Sequence, residues 1–343
     1  MTTMLSDQTR RHERTFSDSP AVRERVPLWL ALYGASGAGK TYSALRLATG
    51  IQRVTGGDIF VIDTEARRAL AVADRFKFRH VQFEAPFSPL DYLAAVEQQI
   101  AKGARTIVID SMSHEHEGPG GVLEWQAAEE ERLAEAWRTT RDKAKMAAWQ
   151  VPKSARRRMV NTLLQTPCNF IFCFRAKEKM KVIPGRNPES MGYMPIAGEE
   201  LVYEMTATAL LLPGAYGVPT WQSKEIGEAA MIKRPEQFRE LIAQHNGKPL
   251  SEDMGEAMAR WAAGDVPKPS SQVPPERPAR RVLADIAAAQ SSAEIDDILA
   301  RAKADRIKVS ADEKREIDVL ASARREALAG VVPPADEPQT SAA

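Results

Sequence analysis

From Leu28 onward the chain alternates short apolar runs with stretches of helical spacing, a pattern that predicts parallel strands joined by crossover helices. Residues 28–33 read as a buried strand, and residues 40–54 as a helix with Tyr42, Leu45, Leu47, Ala48 and Ile51 turned inward. Residues 58–63 and 80–84 predict two more strands. Ser88-Pro89 then marks a helix start, with serine as N-cap and proline at the first helical position, and Gly103 marks its end. Residues 105–110 form the next strand, apolar throughout Ile107-Val108-Ile109 as a central parallel strand requires.

Residues 124–150 read as one long charged helix or a helix pair. The first half is acidic (Glu124, Glu129, Glu130, Glu131, Glu135) and the second basic (Arg138, Arg141, Lys143, Lys145), the order a helix dipole favours. A helix over 154–165 leads into a strand over 169–174, and a further strand falls near 206–212. A closing region of strand and helix runs to about Gly264. Residues 265–278 hold five prolines and predict a stiff linker. Beyond it, Ile286, Ile295, Ile298, Leu299, Ile307, Ile317, Leu320 and Leu328 recur at helical spacing. That module of two or three helices is too small for much independent stability and suits an interaction role. The predicted plan is a disordered leader (1–26), an α/β domain (27–264), a Pro-rich linker (265–280), a small helical module (281–330) and a disordered tail (331–343).

Composition narrows this little. The 343 residues balance 47 basic against 46 acidic side chains, a net charge of +1, so only local clusters speak for a nucleic-acid partner. Cys168 and Cys173 lie at or inside an apolar run and read as buried small hydrophobes in a reducing compartment, with no disulfide or zinc framework. No run approaches a bilayer span, and the polar start lacks a signal-peptide core. A cytoplasmic location is expected.

The chemistry begins at Gly34-Ala35-Ser36-Gly37-Ala38-Gly39-Lys40-Thr41, which fits G-x-x-x-x-G-K-[ST] at every fixed position, after an apolar strand and at a helix start. Glycines let backbone N–H groups and the helix N-terminus close on phosphates. Lys40 would meet the γ-phosphate, Thr41 would ligate Mg²⁺, and Tyr42 follows directly. Asp110, ending an apolar strand, supplies the carboxylate expected to hold the magnesium with Thr41. Hydrolysis of ATP also needs a group to orient water. Ser111 stands where helicase-like ATPases often carry a glutamate, so Glu65, at the end of Phe60-Val61-Ile62-Asp63-Thr64, is the candidate.

This order of motifs resembles the core of the RecA-type recombinase ATPases. The runs IDTEARRAL (62–70), VIDSMSHEHEGPGG (108–121) and NFIFCFRAKEK (169–179) resemble, more closely, the phage-encoded AAA-family nucleotide-binding proteins, over about residues 16–264. The resemblance implies a RecA-like P-loop NTPase fold with a mainly parallel sheet flanked by helices. It implies ATP hydrolysis with Mg²⁺, homo-oligomers with sites at subunit interfaces, and work on single-stranded DNA in phage recombination or replication. It makes Arg175 the counterpart of a γ-phosphate sensor, although RecA itself carries glutamine there.

After Arg175, the cations Lys177, Lys179, Lys181 and Arg186 are interspersed with Gly185, Gly192, Pro184 and Pro188, which predicts a long mobile loop. It would contact single-stranded DNA phosphates with Tyr193 stacking on a base, send a lysine to a neighbouring subunit's ATP, or remain solvated. Arg156-Arg157-Arg158 either joins that basic face or pairs with the acidic helix before it. His114-Glu115-His116-Glu117 has the residues of a metal site without the spacing of a zinc protease, and reads better as a flexible loop reporting nucleotide state. Two other functions stay open: a small-molecule kinase with the arginine cluster as lid, and a nucleotide-gated loader that recruits a protein partner through its C-terminal helices. No N-K-x-D guanine-reading motif occurs.

Overall fold

The computed structural model describes residues 18, 20–182, 184–185, 187–264, 278–304 and 311–329. Seven strands form one sheet: β1 (Trp29–Gly34), β2 (Ile59–Asp63), β3 (Arg79–Gln82), β4 (Thr106–Asp110), β5 (Asn169–Lys181), β6 (Glu189–Pro195) and β7 (Ala207–Leu211). The order is β3-β2-β4-β5-β1-β7, all parallel, with β6 added antiparallel to the outer half of β5. Because β5 lies between β1 and β4, its midpoint is delivered between the phosphate loop and Asp110.

Alternate residues of each strand feed opposite faces, the period of a pleated strand. Leu30 and Leu32 of β1, with Ile171 of β5, pack against helices α1 (Lys40–Thr55) and α10 (Glu252–Ala262). Trp29, Ala31 and Tyr33, with Phe170, Phe172 and Phe174, pack against α2 (Pro89–Ala101) and α6 (Gln150–Leu164). Two-sided burial explains why these strands read as continuous apolar runs. On the first face α1 and α10 meet at reciprocal glycines: a Cβ on Gly50 would strike the Glu252 carbonyl, and one on Gly255 the Leu47 carbonyl. Arg46 clamps the pair through Glu252, Nη2 to Oε2 at 2.7 Å.

Between β4 and α6 lie α3 (Ser113–Glu117), α4 (Val122–Ala136) and α5 (Arg141–Ala148); α7 (Glu199–Tyr203), α8 (Ile226–Met231) and α9 (Arg239–Gln244) complete this unit. Ser88 caps α2 through the Asp91 N–H, and Gly103 takes φ +89° just past its end, as expected. The charged stretch is a helix pair, broken at Arg138 with φ +50°. α6 starts four residues before its predicted boundary because Pro152 is accommodated in the first turn. The closing region is helical, and Leu210 and Thr220 form an isolated bridge there.

The main departure concerns residues 176–195. Residues 176–181 and 189–195 are paired antiparallel strands, where the glycines and prolines predicted a long loop: β5 continues to Lys181 and pairs with β6 through a register shift at Lys179/Met180. A second unit comprises α11 (Pro278–Ala288), α12 (Ser292–Ala304) and α13 (Ala311–Ala329), around Val282, Ile286, Ile295, Ile298 and Ile317. Most of the predicted leader, the linker as far as residue 277, Ile307 and the tail lie outside the described residues. No helix among the described residues is long and apolar enough to cross a membrane.

Candidate functional site

The loop from Gly34 to Thr41 links β1 to α1, with Gly37 and Gly39 at φ +78° and +95°, where a side chain would be strained. A Cβ on Gly39 would also sit 2.8 Å from the Gly217 nitrogen. Gly217 donates to the Ala38 carbonyl (3.1 Å) and accepts from the Leu250 N–H (3.0 Å), so the segment after β7 is fastened to the loop. This places Tyr216, 85% exposed, beside Gly39. Nothing in the sequence marked Tyr216, because the contact joins residues far apart in the chain.

Lys40 is buried, and its ammonium donates to the carbonyls of Gly34 (3.0 Å) and Ala35 (2.8 Å). Burial lowers its pKa, opposed by the nearby negative groups, among them Asp110 and Glu65. The Thr41 hydroxyl donates to Asp110 Oδ2 at 2.5 Å. Asp110 is itself buried, which raises its pKa to about 6 despite the Thr41 hydrogen bond. The Asp110–Ser111 peptide is cis. Tyr42 stands on the cavity wall, edge-on to Phe76 with ring centroids 5.0 Å apart.

Glu65 is set in place by Asp63, which sequence reasoning passed over. Asp63 accepts from the backbone of Glu65 (2.7 Å) and Ala69 (3.0 Å), closing a tight turn through Ala66 and Arg67, both left-handed. An aspartate two residues before such a turn is the local signal that would have found it. Nε and Nη2 of Arg175 lie 2.8 and 2.7 Å from Glu65 Oε1, and Arg68 lies 3.2 Å from Oε2. Burial pushes the Glu65 carboxyl up, but the Arg175 hydrogen bond and charge, with His114 and Arg68, hold it below its usual value.

Ser36, Lys40, Thr41, Tyr42, Glu65, Asp110 and Arg175 thus line one cavity of about 420 Å³. The candidate DNA-contacting cations lie beyond it. Strand alternation puts Lys177, Lys179 and Lys181 on the same side of β5 as Arg175, and all three lysines are exposed. Tyr193 is not on a free loop: it belongs to β6 and packs half-buried against the core. Arg186 lies outside the described residues.

The His114–Glu117 segment is also corrected. It is the short helix α3, and among the described residues no group of three or more His, Cys, Asp or Glu is placed to hold a metal ion. Instead its residues tie three other parts of the unit together: the end of β2, β5 and α6. Ser113 accepts from the Arg175 N–H (2.8 Å), and His114 Nδ1 meets the Thr64 hydroxyl (2.7 Å). Glu115 and His116 meet Arg156, and Glu117 approaches Lys177 (3.9 Å). Arg156 is 4% exposed and forks onto Glu115 through Nε (2.9 Å) and Nη2 (2.8 Å), so it joins neither a basic surface nor the acidic helix. Arg157 and Arg158 are exposed. Both cysteines are free and buried, and burial pushes Cys168 up to about 12.

Comparison with curated proteins returns no match. A family model described as an AAA domain matches residues 27–209, over half of the chain, from just before β1 into β7. That span holds the phosphate loop, Glu65, Asp110 and Arg175 on a mostly parallel sheet flanked by helices. The chain belongs to this AAA-domain family and carries its P-loop nucleotide-binding core.

Proposed function

We propose that this protein is a Mg²⁺-dependent ATPase of RecA-like type that works on single-stranded DNA in phage recombination or replication. The observation that carries the reading is the convergence of Lys40, Thr41, Asp110, Glu65 and Arg175 on one cavity. Glu65 orients the attacking water, Lys40 and the loop N–H groups hold the phosphates, and Arg175 leaves Glu65 to meet the γ-phosphate. Tyr42 and Tyr216 offer rings to the base. The touching hydroxyl of Thr41 and carboxylate of Asp110 form an all-oxygen donor set that suits a hard cation such as Mg²⁺. Magnesium, when bound there, neutralises charge on the β- and γ-phosphate oxygens.

Arg175 reaches Glu65 of its own chain, which favours action in cis. Its strand continues into the basic hairpin, which supports a DNA-contacting role for Lys177, Lys179 and Lys181. Homo-oligomers remain part of the reading. The burial of Arg156 takes one of the three arginines of the cluster away from a kinase lid. A nucleotide-gated loader stays the second reading, favoured by the separate core of the C-terminal helices. The test is ATP turnover with and without single-stranded DNA, for wild type and Glu65→Gln. DNA-stimulated turnover that vanishes in the variant is expected. Turnover indifferent to DNA at low salt would move the assignment to the loader.

A further inference from the structure

We propose that His114 is a positioning residue for Glu65, steadying the turn that carries this carboxylate through the hydroxyl of Thr64. The role rests on the proposed ATPase activity, and it gives the α3 segment a part in that chemistry. The sheet order puts β4 between β2 and β5, so the Glu65–Arg175 pair spans the end of β4. Past that end, the chain from Asp110 to His114 carries on the hydrogen bonding to both neighbours. Toward β5, the Met112 N–H donates to the Cys173 carbonyl (2.9 Å), and Ser113 Oγ accepts from the Arg175 N–H (2.8 Å). Toward β2, the Thr64 N–H donates to the Asp110 carbonyl (2.8 Å), and the Ser111 N–H donates to Thr64 Oγ1 (2.9 Å). His114 Nδ1 adds the last contact on this side, 2.7 Å from the same oxygen. Thr64 is buried and directly precedes Glu65. Two consecutive residues of α3, Ser113 and His114, thus hold the chain at Arg175 and beside Glu65.

The His114 ring is half-buried and stacked on Phe87, with centroids 5.1 Å apart. Burial and the Arg175 charge lower its pKa against the pull of Glu65 and Glu117, which leaves the ring neutral near pH 7. Its bond to Thr64 therefore needs no charge. The anchor matters most after Arg175 departs for the γ-phosphate, because Glu65 then loses both contacts on Oε1. What remains is Arg68, whose side chain is 68% exposed and whose pairing water weakens, and the turn itself. A group that orients a reactant tolerates little displacement, about 1 Å being enough to cost about a hundredfold in rate. With its own side chain released, Glu65 is placed by its backbone, held by Asp63 on one side and by Thr64 on the other. The phosphate loop and Lys40 follow β1, on the far side of β5, so ATP affinity is spared.

Three variants of the full chain separate positioning from packing. His114→Phe keeps a ring against Phe87 and loses the bond to Thr64. His114→Asn sets an amide where Nδ1 stands, and His114→Gln sets one farther out, where Nε2 stands. Steady-state ATP turnover is measured for each, with folding verified by thermal unfolding. His114→Phe should lower kcat about tenfold or more and leave KM within about twofold, and His114→Asn should recover more of kcat than His114→Gln. A phenylalanine variant with the kcat of wild type overturns the proposal, since packing alone then suffices. So does a loss confined to KM, or a glutamine variant that recovers as much as asparagine. Should the phenylalanine variant fail to fold, asparagine against glutamine decides. A wild type without turnover fails the ATPase reading and takes this role with it, whereas an active wild type indifferent to His114 fails this role alone.

Discussion

Glu65 and Arg175, 110 residues apart, are joined by two short contacts onto a single carboxylate oxygen, Glu65 Oε1. The side chain proposed to orient water is therefore held by the side chain proposed to meet the γ-phosphate. In the proposed cycle each has to be released for the other to act, and that release is where the proposed DNA strand would exert control.

Arg175→Ala should lower kcat by about a hundredfold, the usual worth of one charge-stabilising donor, with a much smaller change in ATP affinity. It should also move the acidic limb of the rate profile to higher pH. Without the cation, burial is opposed far less and raises the Glu65 pKa, so the carboxylate protonates earlier as pH falls. Steady-state turnover from pH 5 to 8 checks both; an unmoved acidic limb would separate Glu65 from the titrating group.

Arg156→Met should destabilise the fold by about 3–5 kcal/mol, because it leaves Glu115 buried and unpaired, whereas pairing it with Glu115→Gln should recover much of the loss. Urea unfolding of the three proteins measures this. A single variant as stable as wild type would mean that the ion pair does not organise α3.

His116 sets a pH dependence of stability. Burial, with Arg156, Lys179 and Lys177 around it and only Glu200 opposing, lowers its pKa from 6.5 to about 4. Between those values the unfolded chain holds the proton and the folded chain does not. Stability is therefore fully present above about pH 6.5 and falls toward pH 4, by about 1 kcal/mol after allowing for partial solvent screening. His116→Gln should show a shallower decline between pH 7 and 4.5 in thermal unfolding, and an identical slope would remove His116 as the cause.

Replacing Lys177, Lys179 and Lys181 together by alanine should weaken binding to single-stranded DNA and reduce the slope of log K against log salt by about 2. Fluorescence anisotropy at several salt concentrations reads the slope. An unchanged slope would take the hairpin off the DNA path.

Much of this arrangement was legible because its signals are local. The phosphate loop has fixed spacing between a strand and a helix, and the central strands are apolar on both faces, so β1, β2, β4 and the inner half of β5 fall within a residue of expectation. The outer half of β5 was not legible. Once past Phe174 the strand leaves the covered sheet and its unbroken apolar run ends, and its pairing with β6 depends on a partner several residues on. Glu115 and Arg156, 41 residues apart, show the same limit, since the local sequence read as a flexible loop while Glu115 is half of a buried ion pair. Tyr216 was hidden for a like reason, its place by Gly39 being fixed only by backbone bonds from Gly217.

The reciprocal glycines of α1 and α10 carry a last consequence, for where the molecule can be cut. With backbone against backbone at Gly50 and Gly255, the helix that begins at Lys40 is bolted to a segment more than 40 residues past the end of the family match at residue 209. A fragment ended there would keep every phosphate-facing residue of the loop and still expose the Leu47–Gly50 face of α1 to water. The stretch that sequence comparison identifies and the stretch that is mechanically complete have different ends.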